Sequence, residues 1–156
     1  MSVTSGEPST YELERDKPMP SKNHGIVQAN LIIEFGRNRN FRPISELNLD
    51  LGEKPDPVPD ISVFRRQAVD FTHDEIRVAE PPLIVVEITS PKQGTFDIFR
   101  KIDRYLKHGV ASCWVVEPSL RTVKIIGADG TESVHHEGIV TDPATGIEVD
   151  LDAVFS

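Results

Sequence analysis

The sequence is poor in cysteine, in long apolar runs and in basic charge, and each shortage excludes something. Its single thiol, Cys113, has no intrachain partner for a disulfide. It sits in an apolar stretch, so it reads as a buried thiol in a reducing compartment rather than a reactive nucleophile. No apolar run approaches the roughly 18 residues that a membrane-spanning helix requires. The opening residues lack the basic-then-apolar pattern of a secretory leader, and the expected location is the cytoplasm. Lysine and arginine number 17 against 25 acids, for a formal net charge of -8. A dedicated nucleic-acid binder usually carries a basic excess, because phosphate neutralisation supplies much of its affinity. A nucleic-acid role would therefore rest on a local site rather than on the protein's overall field.

What remains suffices for one folded domain. The chain has 156 residues, 38% of them apolar, a figure diluted by 12 prolines and by a polar opening segment. Residues 1–10 read as a disordered tail and residues 11–156 as a single domain. No internal repeat is evident. Tyr11 to Glu14 alternates like a short strand. Ser21 is a suitable N-cap for a helix ending near Phe35 or Arg37, with His24, Val27, Leu31, Glu34 and Phe35 along one face. Phe41 to Leu51 reads as one half-buried strand, and the prolines at 55, 57 and 59 make an extended connector outside any ladder.

Asp60 opens a strand running to Phe64, and a polar surface connection follows from Arg65 to Glu80. Leu83 to Val86 is a continuous aliphatic run, the pattern of a strand covered on both faces and hence central. A helix is expected from about Phe96 to His108, closed by Gly109. Ala111 to Glu117 is another buried strand. Thr122 to Ile126 alternates like an edge strand, Ala128-Asp129-Gly130 signals a hairpin turn, and Ser133 to Glu137 is the return strand. Leu151, Val154 and Phe155 dock the end of the chain on the body.

The chemistry gathers between Pro59 and Tyr105. Two strands each carry one acid, Asp60 and Glu87, and an acid at the end of a buried strand is costly without a partner. On the following helix, Ile98, Ile102, Tyr105 and Leu106 form the apolar stripe. Lys101 sits at the edge of that stripe, where its stem can pack and its ammonium can reach past the helix. Phosphodiester hydrolysis needs an activated water and a cation beside the phosphate, and a hard divalent ion held by oxygen ligands supplies both. Magnesium (or manganese) is the expected ion, held by Asp60, Glu87 and the backbone carbonyl of Ile88, with Lys101 assisting at water or phosphate. Around this set lie residues with two readings each. Glu34 is either a solvated acid at the edge of its stripe or a buried carboxylate aimed at the same site. His24 either packs the first helical turn or joins the site. Asp97 is either an ordinary helical partner of Lys101 or the residue that positions it, and Tyr105 lies on the same side.

The order of these pieces is a helix entry rich in Pro and His, Pro59-Asp60 on a strand, Pro-Pro-Leu-Ile-Val-Val-Glu-Ile-Thr-Ser-Pro from Pro81 to Pro91, Asp97-x-x-x-Lys101-x-x-x-Tyr105, Gly109-Val110, then Cys-Trp-Val-Val-Glu-Pro from Cys113 to Pro118. This order resembles the Uma-two family of restriction-endonuclease-like proteins within the PD-(D/E)XK nuclease superfamily, over roughly Tyr11 to Phe155. The resemblance implies an α/β (α+β) fold: a restriction-endonuclease-like mixed β-sheet core flanked by helices, here with extra β-hairpins and the site at the sheet's end. It implies DNA as the substrate and a homodimer, with Asp60 as the motif aspartate and Glu87 as the motif glutamate. The usual lysine two residues after the glutamate is replaced by Thr89, and Lys101 takes the place of a relocated lysine. Glu34 matches the first-helix acid that many superfamily members add. The alternative function is a catalytically silent nuclease-fold domain engaged in protein–protein or regulatory association.

Overall fold

The structure is a computed structural model that describes residues 9, 10, 13, 19–90 and 95–156. Residues 1–8 of the expected tail and most of the Tyr11 to Glu14 strand lie outside the described residues, while Thr10, at the end of that tail, is helical. Leu13 is helical, its amide donating to the Ser9 carbonyl at 3.0 Å.

A six-stranded sheet forms the centre, built from β1 (Phe41–Ser45), β3 (Ile61–Arg65), β5 (Ile84–Ile88), β6 (Ser112–Glu117), β7 (Thr122–Gly127) and β8 (Glu132–His135), in that spatial order. Only the β5–β6 pair is parallel; every other neighbouring pair in this sheet is antiparallel. Two small ribbons flank it: β2 (Asn48–Leu49) with β4 (Arg77–Val78), and β9 (Ile139–Thr141) with β10 (Glu148–Asp150).

Helix α1 (Lys22–Gly36) starts where expected, because the Ser21 hydroxyl accepts from the His24 amide. Its stripe of Val27, Leu31 and Phe35 covers one sheet face, packing on Ile84, Val86 and Ile88 of β5, and Phe35 meets Trp114 edge-on at 5.0 Å between ring centres. Helix α2 (Thr95–Lys107) covers the other face, with Ile98, Ile102 and Tyr105 against Val85 and Cys113. The strand β5 is therefore sandwiched: its even-numbered apolar residues face α1, and Val85 faces α2. All five of its residues are buried, Ile84, Val85 and Val86 as the aliphatic run predicted. Gly109 ends α2 at φ 99°, a left-handed conformation that glycine reaches without strain. The short helix α3 (Leu151–Val154) buries Leu151 and Val154 against the body.

Two expectations need correction. The single strand over Phe41 to Leu51 is broken. Glu46 adopts φ 47° and turns its amide to the Asp60 carbonyl, so β1 stays in the main sheet while β2 leaves it to pair with β4. The alternation of Thr122 to Ile126 mimics an edge strand, but β7 lies between β6 and β8, and the return strand β8 is the edge. Its Val134 stands 56% exposed there. Among the described residues, no helix is long and apolar enough to cross a membrane.

Candidate active site

The β3–β5 ladder pairs Ile61 with Val86, Ser62 with Val85 and Val63 with Ile84. Asp60 directly precedes Ile61 and Glu87 directly follows Val86, the last pair of this ladder, so both acids stand where it stops. Both acids are buried, Asp60 at 1% exposure and Glu87 at 3%. Two carboxylates this deep are tolerable only with partners, and the fold supplies some from both faces of the sheet.

Asp60 is held at several points. Its Oδ2 accepts from the Ile88 amide at 2.7 Å. Its Oδ1 lies 3.2 Å from Nε2 of His24, delivered by the first turn of α1. Its backbone carbonyl accepts from Gln28 Nε2 at 3.0 Å and from the Glu46 amide at 3.1 Å. The side chain thus does the work of a backbone acceptor where the ladder ends, satisfying an amide of the neighbouring strand. From the opposite face, Tyr105 of α2 donates its hydroxyl to Glu87 Oε1 at 2.7 Å. Burial, with the Glu87 carboxylate beside it, holds the Tyr105 phenol well above its ordinary value of 10.0, so it remains a neutral donor. Lys101 is half-buried one helical turn before Tyr105, at the N-terminal side of the same stripe.

The structure thus brings together Asp60, Glu87, Ile88, His24 and Tyr105 at one end of β3 and β5. His24 both packs the first turn and reaches Asp60, so its two readings coexist. Asp97 is exposed in the first turn of α2, where a carboxylate complements the positive end of the helix dipole. Glu34 is buried but is not brought to this site. It lies about 15 Å along α1 from His24. Its Oε1 accepts from the Asp150 amide at 3.0 Å and its Oε2 pairs with Arg37 Nε at 3.0 Å. Its carboxylate ties α1 to the end of β10, so neither reading holds: the acid is buried rather than solvated, and its partners are Asp150 and Arg37 rather than the Asp60 site. The helical period puts it at the edge of the stripe but does not say which end of the sheet that stripe meets.

Gln28 was missed, although it lies four residues after His24 and so on the same side of α1. Asp142 was also missed. It is fully buried; its Oδ1 accepts from Ser112 Oγ at 2.6 Å and from Trp114 Nε1 at 2.8 Å, while its Oδ2 accepts from the amides of Ala144 and Thr145. The turn residues of Asp142-Pro143-Ala144-Thr145-Gly146 were the available signal. Its partners make it a structural anchor on the α1 face of the sheet rather than a member of the site. Cys113 is buried as expected, and its thiol is pushed up to about 12 by burial.

The donor set suits a hard cation, with two buried carboxylates at the same end of neighbouring strands, one held by the Ile88 amide and the other by Tyr105. Among the described residues, no group of three or more His, Cys, Asp or Glu side chains is placed to hold a metal. A coordination shell here would therefore be completed by main-chain, water or substrate oxygens.

Comparison with known proteins agrees with this architecture. A crystal structure described as "a putative nuclease belonging to DUF820 from Anabaena variabilis ATCC 29413" shares 26% identity with the chain. The alignment covers 88% of this chain and 83% of that one, with a TM-score of 0.74. No curated protein matches. The profile of the family Uma2, described as "Putative restriction endonuclease", matches residues 12–152. With the match spanning nearly the whole chain and the mixed sheet between two helices in place, this protein belongs to the Uma2 family.

Proposed function

We propose that the protein is a nuclease that hydrolyses DNA phosphodiester bonds with the help of Mg²⁺ or Mn²⁺. The observation that carries the reading is the two buried carboxylates, Asp60 and Glu87, each one residue beyond the last pair of the β3–β5 ladder. Two carboxylates in a poorly hydrated place repel each other, and a shared divalent cation removes that repulsion. Asp60, Glu87 and the Ile88 carbonyl are the groups that would hold it. When bound, the ion supplies Lewis-acid stabilisation of the phosphate and lowers the pKa of water.

The chain's own residues do the rest. His24 and the Ile88 amide fix the Asp60 carboxylate, and Tyr105 fixes that of Glu87, so neither needs to reorganise when charge develops on the phosphate. Lys101 offsets phosphate charge and orients the attacking water. Water oxygen bonds to phosphorus as the bond to the leaving sugar oxygen breaks, and the proton the water gives up balances the one the leaving oxygen takes up. Membership of a family named for restriction endonucleases supports the same reading.

Incubation of supercoiled plasmid with Mg²⁺ or Mn²⁺ tests it. Nicking or linearisation is expected in the wild type, blocked by chelation and reduced roughly 100-fold or more in Lys101→Met. An intact plasmid after prolonged incubation of folded, metal-loaded protein would favour the alternative, a nuclease-fold domain that acts by association. That alternative draws support from the structural use already made of both carboxylates.

A further inference from the structure

The sequence shows no basic run, yet folding assembles a basic surface. The β1–β3 register sets Phe41 opposite Arg65 and Arg42 opposite Phe64. The Arg66 amide donates to the Asn40 carbonyl at 2.8 Å, which brings the turn bearing Arg39 beside Arg66. The Arg65 guanidinium lies over the Phe41 ring at 5.8 Å, and Arg42 Nη2 donates to the Gln67 carbonyl at 3.3 Å. Arg39, Arg65 and Arg66 are exposed and Arg42 is half-buried.

These arginines differ from others in the molecule. Arg37 pairs with Glu34, Arg77 with Asp50 and Asp56, and Arg104 with Glu53. Among the described residues, none of Arg39, Arg42, Arg65 and Arg66 forms an ion pair with a carboxylate. Asp70, Asp74, Glu75 and Glu80 line the groove beside Arg42 and Arg65 without pairing to them, and Asp70 is turned into its own loop, accepting from Thr72 and bonded to His73. The guanidinium of Arg66 is held below its ordinary value by Arg39 first, then by desolvation and Arg42, so the cluster is tight enough for mutual repulsion. In a chain of net charge -8, uncompensated cations gathered at one place call for an external anion. Planar guanidinium forks match phosphate oxygens in particular.

We propose that Arg39, Arg42, Arg65 and Arg66 form a docking surface for the phosphate backbone of double-stranded DNA. This rests on the nuclease reading for its choice of polyanion. Asp60 and Arg66 bracket β3, so the surface stands about 20 Å from the carboxylate pair along the strand. At about 3.4 Å per nucleotide of one strand, that is roughly six base-pair steps. The arginines therefore grip backbone flanking the cleaved bond, not the reacting phosphate. Several charges spread over two strands and a turn suit a polymer with closely spaced phosphates better than a single anion.

Fluorescence anisotropy of a labelled duplex of about 20 base pairs, in chelator so that nothing is cut, tests the surface across a salt series. For the folded double variant R39Q/R66Q, the slope of log affinity against log salt is expected to become shallower by about 2. Affinity at about 50 mM salt is expected to fall roughly tenfold or more, and R39K/R66K, which keeps the charges but not the forks, is expected to keep the wild-type slope. Three results would overturn the proposal: no duplex binding by the wild type at low salt, an unchanged slope in R39Q/R66Q, or tighter binding to phosphatidylglycerol vesicles than to duplex. Arginine-dependent binding without any cleavage would sink the hydrolytic reading and leave the surface standing. Cleavage with arginine-independent binding would do the reverse.

Discussion

Cys113 and Tyr105 show how single buried groups report on the α2 face of the sheet. Burial disfavours the Cys113 thiolate, raising the thiol from its ordinary 9.0 to about 12, so the folded protein keeps a proton that the unfolded chain releases. Its contribution to stability is therefore complete below about pH 9 and declines as pH rises from there toward about 12. Urea midpoints should fall between about pH 8 and pH 10, and Cys113→Ala, though less stable overall, should show a flatter decline. An identical slope in both proteins would contradict this. At Tyr105, removing the hydroxyl takes from Glu87 Oε1 the donor at 2.7 Å. Tyr105→Phe should cost about 1–3 kcal/mol in urea unfolding, the usual cost of losing a buried hydrogen bond to a charged group. The sequence named Asp60, Glu87 and Tyr105 because an acid ending a buried strand and a tyrosine on an apolar stripe are both local patterns. It did not show that the Asp60 side chain would serve the Ile88 amide, since that depends on where the ladder between two strands distant in sequence stops.

At the scale of elements, legibility tracked locality. The helices α1 and α2 and the strand β5 were readable because their signals are the Ser21 cap, the three-to-four-residue stripes, Gly109 and an uninterrupted aliphatic run. The break at Glu46 was not, because a glutamate at φ 47° carries no composition cue and is held by the distant Asp60 carbonyl. The order of β7 and β8 was not either, since alternation reports one covered face and not whether a further strand pairs alongside. Two junctions can be tested. A Cβ at Gly109 would meet Pro81 Cγ at 3.2 Å, on a backbone at φ 99°. Gly109→Ala should therefore destabilise by about 1–2 kcal/mol in chemical denaturation. The loop between β9 and β10 is anchored to β6 through Asp142, which binds Trp114 Nε1 and Ser112 Oγ. Asp142→Ala should cost about 3 kcal/mol or more by leaving both donors unpaired. It should also shift the emission of Trp114, the only tryptophan; unchanged emission and stability would refute the anchoring role.

For the whole molecule, charge placement matters more than charge count. The net charge of -8 argued against a nucleic-acid partner, but the sum hides where the charges fall. Acids converge at one end of β3 and unpaired arginines at the other, and only the pairing of β1 with β3 reveals the second group. The central claim concerns the first group, that Asp60 and Glu87 together hold a divalent cation. Its most direct test is a calorimetric titration of Mn²⁺ or Mg²⁺ into the wild type, Asp60→Asn and Glu87→Gln, repeated with a duplex oligonucleotide present. Both substitutions keep an acceptor for Ile88 or Tyr105 and so spare the fold. Binding by the wild type that each substitution abolishes is the predicted result. No binding even with DNA present, or binding that survives both substitutions, would contradict it.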